Sequence, residues 1–149
     1  MERIAYVPHL TKFCTSYSTN AWGVFSLQRE KVNNGNGVAL TSLYYAWAYC
    51  RELSDLDISG LKTPNITSIE ATFVQNYRLK SLNLTHLDVS KVKSFNSAFN
   101  SCRALESLDL TDWNTASATT FASMFVNCWN LKEIKGIEDF ITSSVTSFH

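Results

Sequence analysis

The side chains in this sequence best equipped for chemistry are its four cysteines and three histidines. Thiolates and imidazoles hold zinc or haem when several converge at short, defined spacings. Here they do not converge. Cys50, Cys102 and Cys128 fall in one column of a 26-residue spacing whose remaining member is Asn76, and Cys14 stands apart. Asparagine replaces neither a thiolate ligand nor a disulfide partner, but it can replace a buried hydrogen-bond donor. The column therefore predicts thiols packed in the core and donating weakly to turn backbone. Cys102 and Cys128, on neighbouring turns, also come near disulfide distance, which leaves oxidation in a secreted setting open. His9, His86 and His149 share no spacing with another His, Cys or carboxylate. No metal and no cofactor is expected.

Nucleophilic catalysis requires a Ser, Thr or Cys beside a base, and no such arrangement recurs among the many hydroxyl residues. The five glycines are scattered and form no phosphate-cradling loop. The sequence is thus read as a non-enzyme. Thirteen basic residues balance thirteen acidic ones, with an isoelectric point near 6.8. That balance argues against a nucleic-acid binder working by counterion release and against a polybasic membrane-surface protein.

One set of polar residues suits binding better than bond-making. Asp55, Asp57 and Ser59, then Ser81, Asn83 and Thr85, then Ser107, Asp109 and Thr111, then Glu133 and Lys135 alternate with leucine and isoleucine. They should form one polar face. Two roles stay open for them: ligand contacts, or capping of their own turns, as Asp57 and Asp109 are suited to do. His86 and Trp113 flank this face, although the Trp113 column otherwise holds Leu and Phe and reads as core. Asn65-Ile66-Thr67 and Asn83-Leu84-Thr85 match the glycosylation acceptor pattern, a triplet common enough to arise by chance in a repeat rich in Asn and Thr.

The elements that position this face follow from self-similarity. Leu53, Leu79, Leu105 and Leu131 are 26 residues apart, as are Leu56, Leu82, Leu108 and Ile134. Trp47, Phe73, Phe99 and Phe125 keep the same step, as do Leu43, Ile69, Phe95 and Phe121. One extra residue enters near Gly136. Leu82-Asn83-Leu84 and Leu108-Asp109-Leu110 alternate as a short strand with one buried side. Phe95, Ala98, Phe99 and Cys102 fall at i, i+3, i+4 and i+7, which predicts a short helix. Stacked copies would form a right-handed parallel solenoid with strands about 4.8 Å apart. A chain this long buries roughly 68–70% of its unfolded surface and needs no staples.

The strings Ala98-Phe99-Asn100-Ser101-Cys102-Arg103-Ala104-Leu105-Glu106-Ser107-Leu108-Asp109-Leu110-Thr111 and Met124-Phe125-Val126-Asn127-Cys128-Trp129-Asn130-Leu131-Lys132-Glu133-Ile134 closely resemble the 26-residue repeat of bacterial surface proteins, the BspA-like leucine-rich repeat. The resemblance runs from about residue 38 to 149. It implies an α/β leucine-rich-repeat solenoid, with a parallel sheet of about five short strands and short helices opposite. It also implies a bacterial cell-surface or secreted setting and adhesion to host proteins. It brings no catalytic residues. Residues 1–40 read as a degenerate capping turn, and residues 41–149 as four repeats plus the start of a further turn.

The functional expectation is a protein-interaction module that binds a protein or glycan on a strand face on the order of 20 Å long. Neither nucleic-acid binding nor membrane insertion by this segment is expected, since no stretch has the apolar length of a span and the start lacks a signal peptide's apolar core. Two alternatives stand beside it. One is a structural or assembly element, such as a phage-fibre component, that associates with copies of itself through an open edge at Phe148. The other is an intracellular partner-binding scaffold.

Overall fold

The structure of the protein, a computed structural model, describes residues 41–54, 56, 58 and 63–148. The proposed capping turn over residues 1–40 lies outside the described residues. Within them the 26-residue spacing is a physical stacking distance. The backbone pairs in parallel at Ser68 with Ser94, Ser94 with Thr120, and Thr120 with Ser147. Each apolar column becomes a row of touching side chains. The rings of Trp47, Phe73, Phe99 and Phe125 stack at centroid separations of 5.5, 5.4 and 5.6 Å, within 13° of parallel. Phe95, Phe121 and Phe148 form a second row at 4.9 and 5.9 Å. Such pairs add about 0.5–1.5 kcal/mol each beyond the area they bury.

The expected leucine-rich-repeat solenoid of five strands and short helices is not what forms. Among the described residues there is no α-helix, and the only sheet is two-stranded and parallel, with β1 at Ser107–Asp109 and β2 at Glu133–Lys135. The backbone explains the missing helices. Tyr45, Ala71, Ser97 and Ser123 have φ of 51–55°, and Tyr49, Gln75, Ser101 and Asn127 have φ of 59–63°. These residues lie inside the segments with helical apolar spacing, and a left-handed residue every fourth position forbids an α-helix.

The N–H groups are turned sideways instead. Leu43, Tyr45, Trp47 and Tyr49 donate to the carbonyls of Ser68, Glu70, Thr72 and Val74 at 2.7–3.2 Å. Ile69, Ala71, Phe73 and Gln75 donate to Ser94, Asn96, Ala98 and Asn100, and Phe95, Ser97, Phe99 and Ser101 to Thr120, Ala122, Met124 and Val126. Intervening residues close tight turns, such as Ala98 N–H to Phe95 and Cys102 N–H to Phe99. Composition favours this outcome. Segments of about eight residues are too short to nucleate a helix alone, and Ser and Asn are poor helix formers, with Asn among the few residues that tolerate left-handed φ.

The strands are curtailed for a related reason. Leu82-Asn83-Leu84 contributes a single bridge, Asn83 to Asp109. Just beyond it, the Thr85 N–H and hydroxyl both donate to Asn83 Oδ1, at 3.3 and 2.9 Å, which turns the chain before a second rung can form. The extra residue near Gly136 has a clear site. Gly136 has φ of 78° and precedes a single 3₁₀ turn at Ile137–Asp139. Among the described residues, no helix is long and apolar enough to cross a membrane.

Candidate functional site

The polar face is built by β1, β2 and the bridge at Asn83. Parallel pairing sets Ser107 beside Glu133, and aligns Asn83, Asp109 and Lys135 in one row across three turns. Backbone bonds from Glu106 N–H to Lys80 and from Lys132 N–H to Glu106 hold the register at 3.1 and 3.0 Å. Beneath the face, Leu82, Leu84, Leu108 and Leu110 are buried. Ser81, Asn83, Thr85, Ser107, Thr111, Glu133 and Lys135 are exposed, and Asp109 is intermediate. The structure thus brings together eight of the residues singled out from the sequence. Asp55, Asp57 and Ser59 lie outside the described residues.

Two of the eight are tied into their own turns. Asp109 Oδ1 accepts the Thr111 N–H at 3.0 Å, as Asn83 does for Thr85. The Thr111 hydroxyl, then its N–H, hold the Asp109 carboxyl below the usual aspartate range, with the Lys135 ammonium adding to the effect. Turn capping and face-building are therefore one geometry: the local bond fixes the side chain in the row. The chemistry available is hydrogen bonding with one neighbouring pair of opposite charges. Among the described residues, no three His, Cys, Asp or Glu side chains are grouped to hold a metal ion.

The cysteine column divides. Cys102, fully buried, donates to the Phe73 carbonyl at 3.1 Å, and Cys128 donates to the Phe99 carbonyl at 3.0 Å. Both are free thiols, and burial pushes each up from the ordinary thiol range. Cys50 departs from the core-thiol expectation, because it is disulfide-bonded. Cys14 lies outside the described residues. Asn76 does not take over the donor role: its Nδ2 and Oδ1 are buried with no partner. Trp113 is core, with its indole N–H on the Leu84 carbonyl at 3.0 Å, and His86 is exposed.

Sequence reasoning missed one column. Arg51, Tyr77, Arg103 and Trp129 share the 26-residue spacing and alternate cation with ring. The Arg103 guanidinium lies 4.4 Å from the Tyr77 ring centroid and 4.6 Å from that of Trp129, with Arg51 5.2 Å from Tyr77. Its only sequence signal was the spacing, which is visible once charged and aromatic residues are tabulated in the same register as the leucines.

The family model described as "Mycoplasma protein of unknown function, DUF285" matches residues 41–149. The chain belongs to that family. No curated protein and no solved structure matches it. The DUF285 match takes in every described residue of the polar face, the cysteine column and the Arg and aromatic column.

Proposed function

We propose that this DUF285 chain is a non-enzymatic protein-interaction module of the cell surface or the secreted fraction, which holds a protein or glycan ligand on its polar face. The observation that carries this reading is the aligned row of Asn83, Asp109 and Lys135, in which the first two side chains are fixed by their own turns before any ligand arrives. Preorganised polar groups lose little conformational entropy on binding. The resemblance to BspA-like surface repeats supports the setting.

Arrays of host-cell surface proteins and of glycans, probed with the chain and with an Asp109→Lys, Lys135→Glu double variant, test the reading. A ligand whose binding falls at least about tenfold in the folded variant supports it. Ligands bound equally by both forms, or none bound by either, would overturn it. The assembly alternative rests on a different observation, the exposed Val126, Ile137, Ile141 and Phe148 near the last turn. It predicts that mass by light scattering rises with concentration; a constant monomer mass removes it.

A further inference from the structure

The two turns of the polar face at residues 81–85 and 107–111 carry a pattern finer than polarity alone. In each, a planar side chain gives one oxygen to its own turn. Asn83 Oδ1 accepts the Thr85 N–H at 3.3 Å and the Thr85 hydroxyl at 2.9 Å, and Asp109 Oδ1 accepts the Thr111 N–H at 3.0 Å. These bonds decide which atom is left for a ligand. Asn83 offers its Nδ2 donors, and Asp109 offers Oδ2, an acceptor only. Neither atom has a partner among the described residues. Parallel pairing sets the two side chains on neighbouring turns about 4.8 Å apart, and the same register sets the Ser81 hydroxyl beside that of Ser107.

We infer that the ligand of this face is a neutral glycan held through a vicinal diol. One hydroxyl of the diol donates to Asp109 Oδ2 and its neighbour accepts from Asn83 Nδ2, while the rotatable Ser81 and Ser107 hydroxyls bond adjoining ring substituents. Adjacent sugar hydroxyls suit the pair because each of them both donates and accepts. Charge and packing select against the other ligand classes. Lys80, Lys132 and Lys135 are balanced by Glu106, Asp109 and Glu133 across the same turns, so no net field draws a polyanion or a polycation. Leu82 and Leu108, which alternate with the polar residues, are only 6% and 2% exposed, so the anchor side chain of a protein partner meets no apolar pocket between them. The inference rests on the reading of this face as a binding surface and narrows its ligand from protein or glycan to glycan. Because either hydroxyl of a diol can take either role, the site needs a donor beside an acceptor but not their order.

That indifference to order supplies the test. The full chain is applied to a printed array of neutral oligosaccharides built from hexoses and N-acetylhexosamines, and the one bound best is titrated by calorimetry together with its monodeoxy analogues. Asp109→Asn leaves two donors and Asn83→Asp two acceptors, and both keep the turn bond, since Asn and Asp each cap one of these turns already. Asp109→Asn should weaken binding at least about tenfold and Asn83→Asp about 3–10-fold, as loss of a charge-assisted and of a neutral hydrogen bond predicts. The double variant Asn83→Asp, Asp109→Asn exchanges the two groups and should bind within about threefold of the unaltered chain, a non-additivity expected of neighbours that share one ligand. Two monodeoxy analogues, lacking adjacent hydroxyls, should bind at least about tenfold more weakly than the parent. Unfolding midpoints check that each variant is folded. No oligosaccharide bound, a double variant no better than the weaker single one, or losses at hydroxyls that are not adjacent would overturn the inference. A protein ligand found instead, and lost in the Asp109→Lys, Lys135→Glu variant, would overturn the glycan inference and leave the interaction-module reading standing. The absence of a ligand of either kind would take both down.

Discussion

Asn76 shows how a single buried residue departs from the logic of its column. Its counterparts one and two turns on, Cys102 and Cys128, place thiols against the Phe73 and Phe99 carbonyls, whereas its own amide is buried without a partner. An unsatisfied buried polar group costs about 1–3 kcal/mol. Asn76→Cys should restore the column's bond, with Trp47 offering the equivalent carbonyl, and raise stability by about 1–2 kcal/mol, read from the urea midpoint. Unchanged or lower stability would show that the amide has a role the column does not supply. Asp109 makes a second prediction at this scale. Its folded carboxyl titrates below the ordinary aspartate range because of Thr111. The contribution is therefore complete above the unfolded aspartate value and is lost as pH falls through the lower folded one. Asp88, held down in the same way by the Ser90 hydroxyl and N–H, behaves alike. A carboxyl chemical-shift titration should place the Asp109 midpoint below that of an unpaired aspartate. Asp109→Asn should flatten this acid-side slope yet keep the turn, since Asn83 caps the equivalent one.

Among the elements, the turn around Gly136 is the most tightly specified. A Cβ at this position would lie 2.7 Å from the Thr111 nitrogen and 2.8 Å from the Leu110 carbonyl carbon and oxygen, all backbone atoms, at φ of +78°. Gly136→Ala should cost about 2–4 kcal/mol, combining left-handed strain with overpacking. Thermal unfolding checks this, and a loss below 1 kcal/mol would mean that β2 can shift away from β1. The sequence announced this position as the one extra residue in the repeat, and it likewise announced every apolar column. It did not announce the backbone. The spacing of Phe95, Ala98, Phe99 and Cys102 fits a helix and fits equally a run of tight turns with left-handed residues at Ser97 and Ser101, because periodicity reports which side is buried and not where the N–H groups point. The signal that separates them is the Asn and Ser content of the segment. In the same way, Leu82-Asn83-Leu84 alternates as a strand should, but the Asn83 turn bond to Thr85 stops it after one bridge. The polar face was legible because side-chain alternation survives even where pairing is brief. The column ending at Trp129 is hidden in the apolar pattern because it alternates cation with ring and so carries no hydrophobic period of its own.

For the whole molecule, stability is shared among turns that each depend on the next, so local damage should propagate. Phe99 lies between Phe73 and Phe125 and is fully buried. The polar face is a consequence of that stacking, because successive turns keep one register.

Hydrogen exchange of individual amides, followed by NMR, tests this architecture most directly. The N–H groups of Phe73, Gln75, Phe99 and Ser101, bonded to the following turn, should exchange slowly, and Ser97 and Ser101 should show left-handed and not helical chemical shifts. Continuous helical chemical shifts across residues 95–102, or fast exchange at Phe99 and Ser101, would contradict the account.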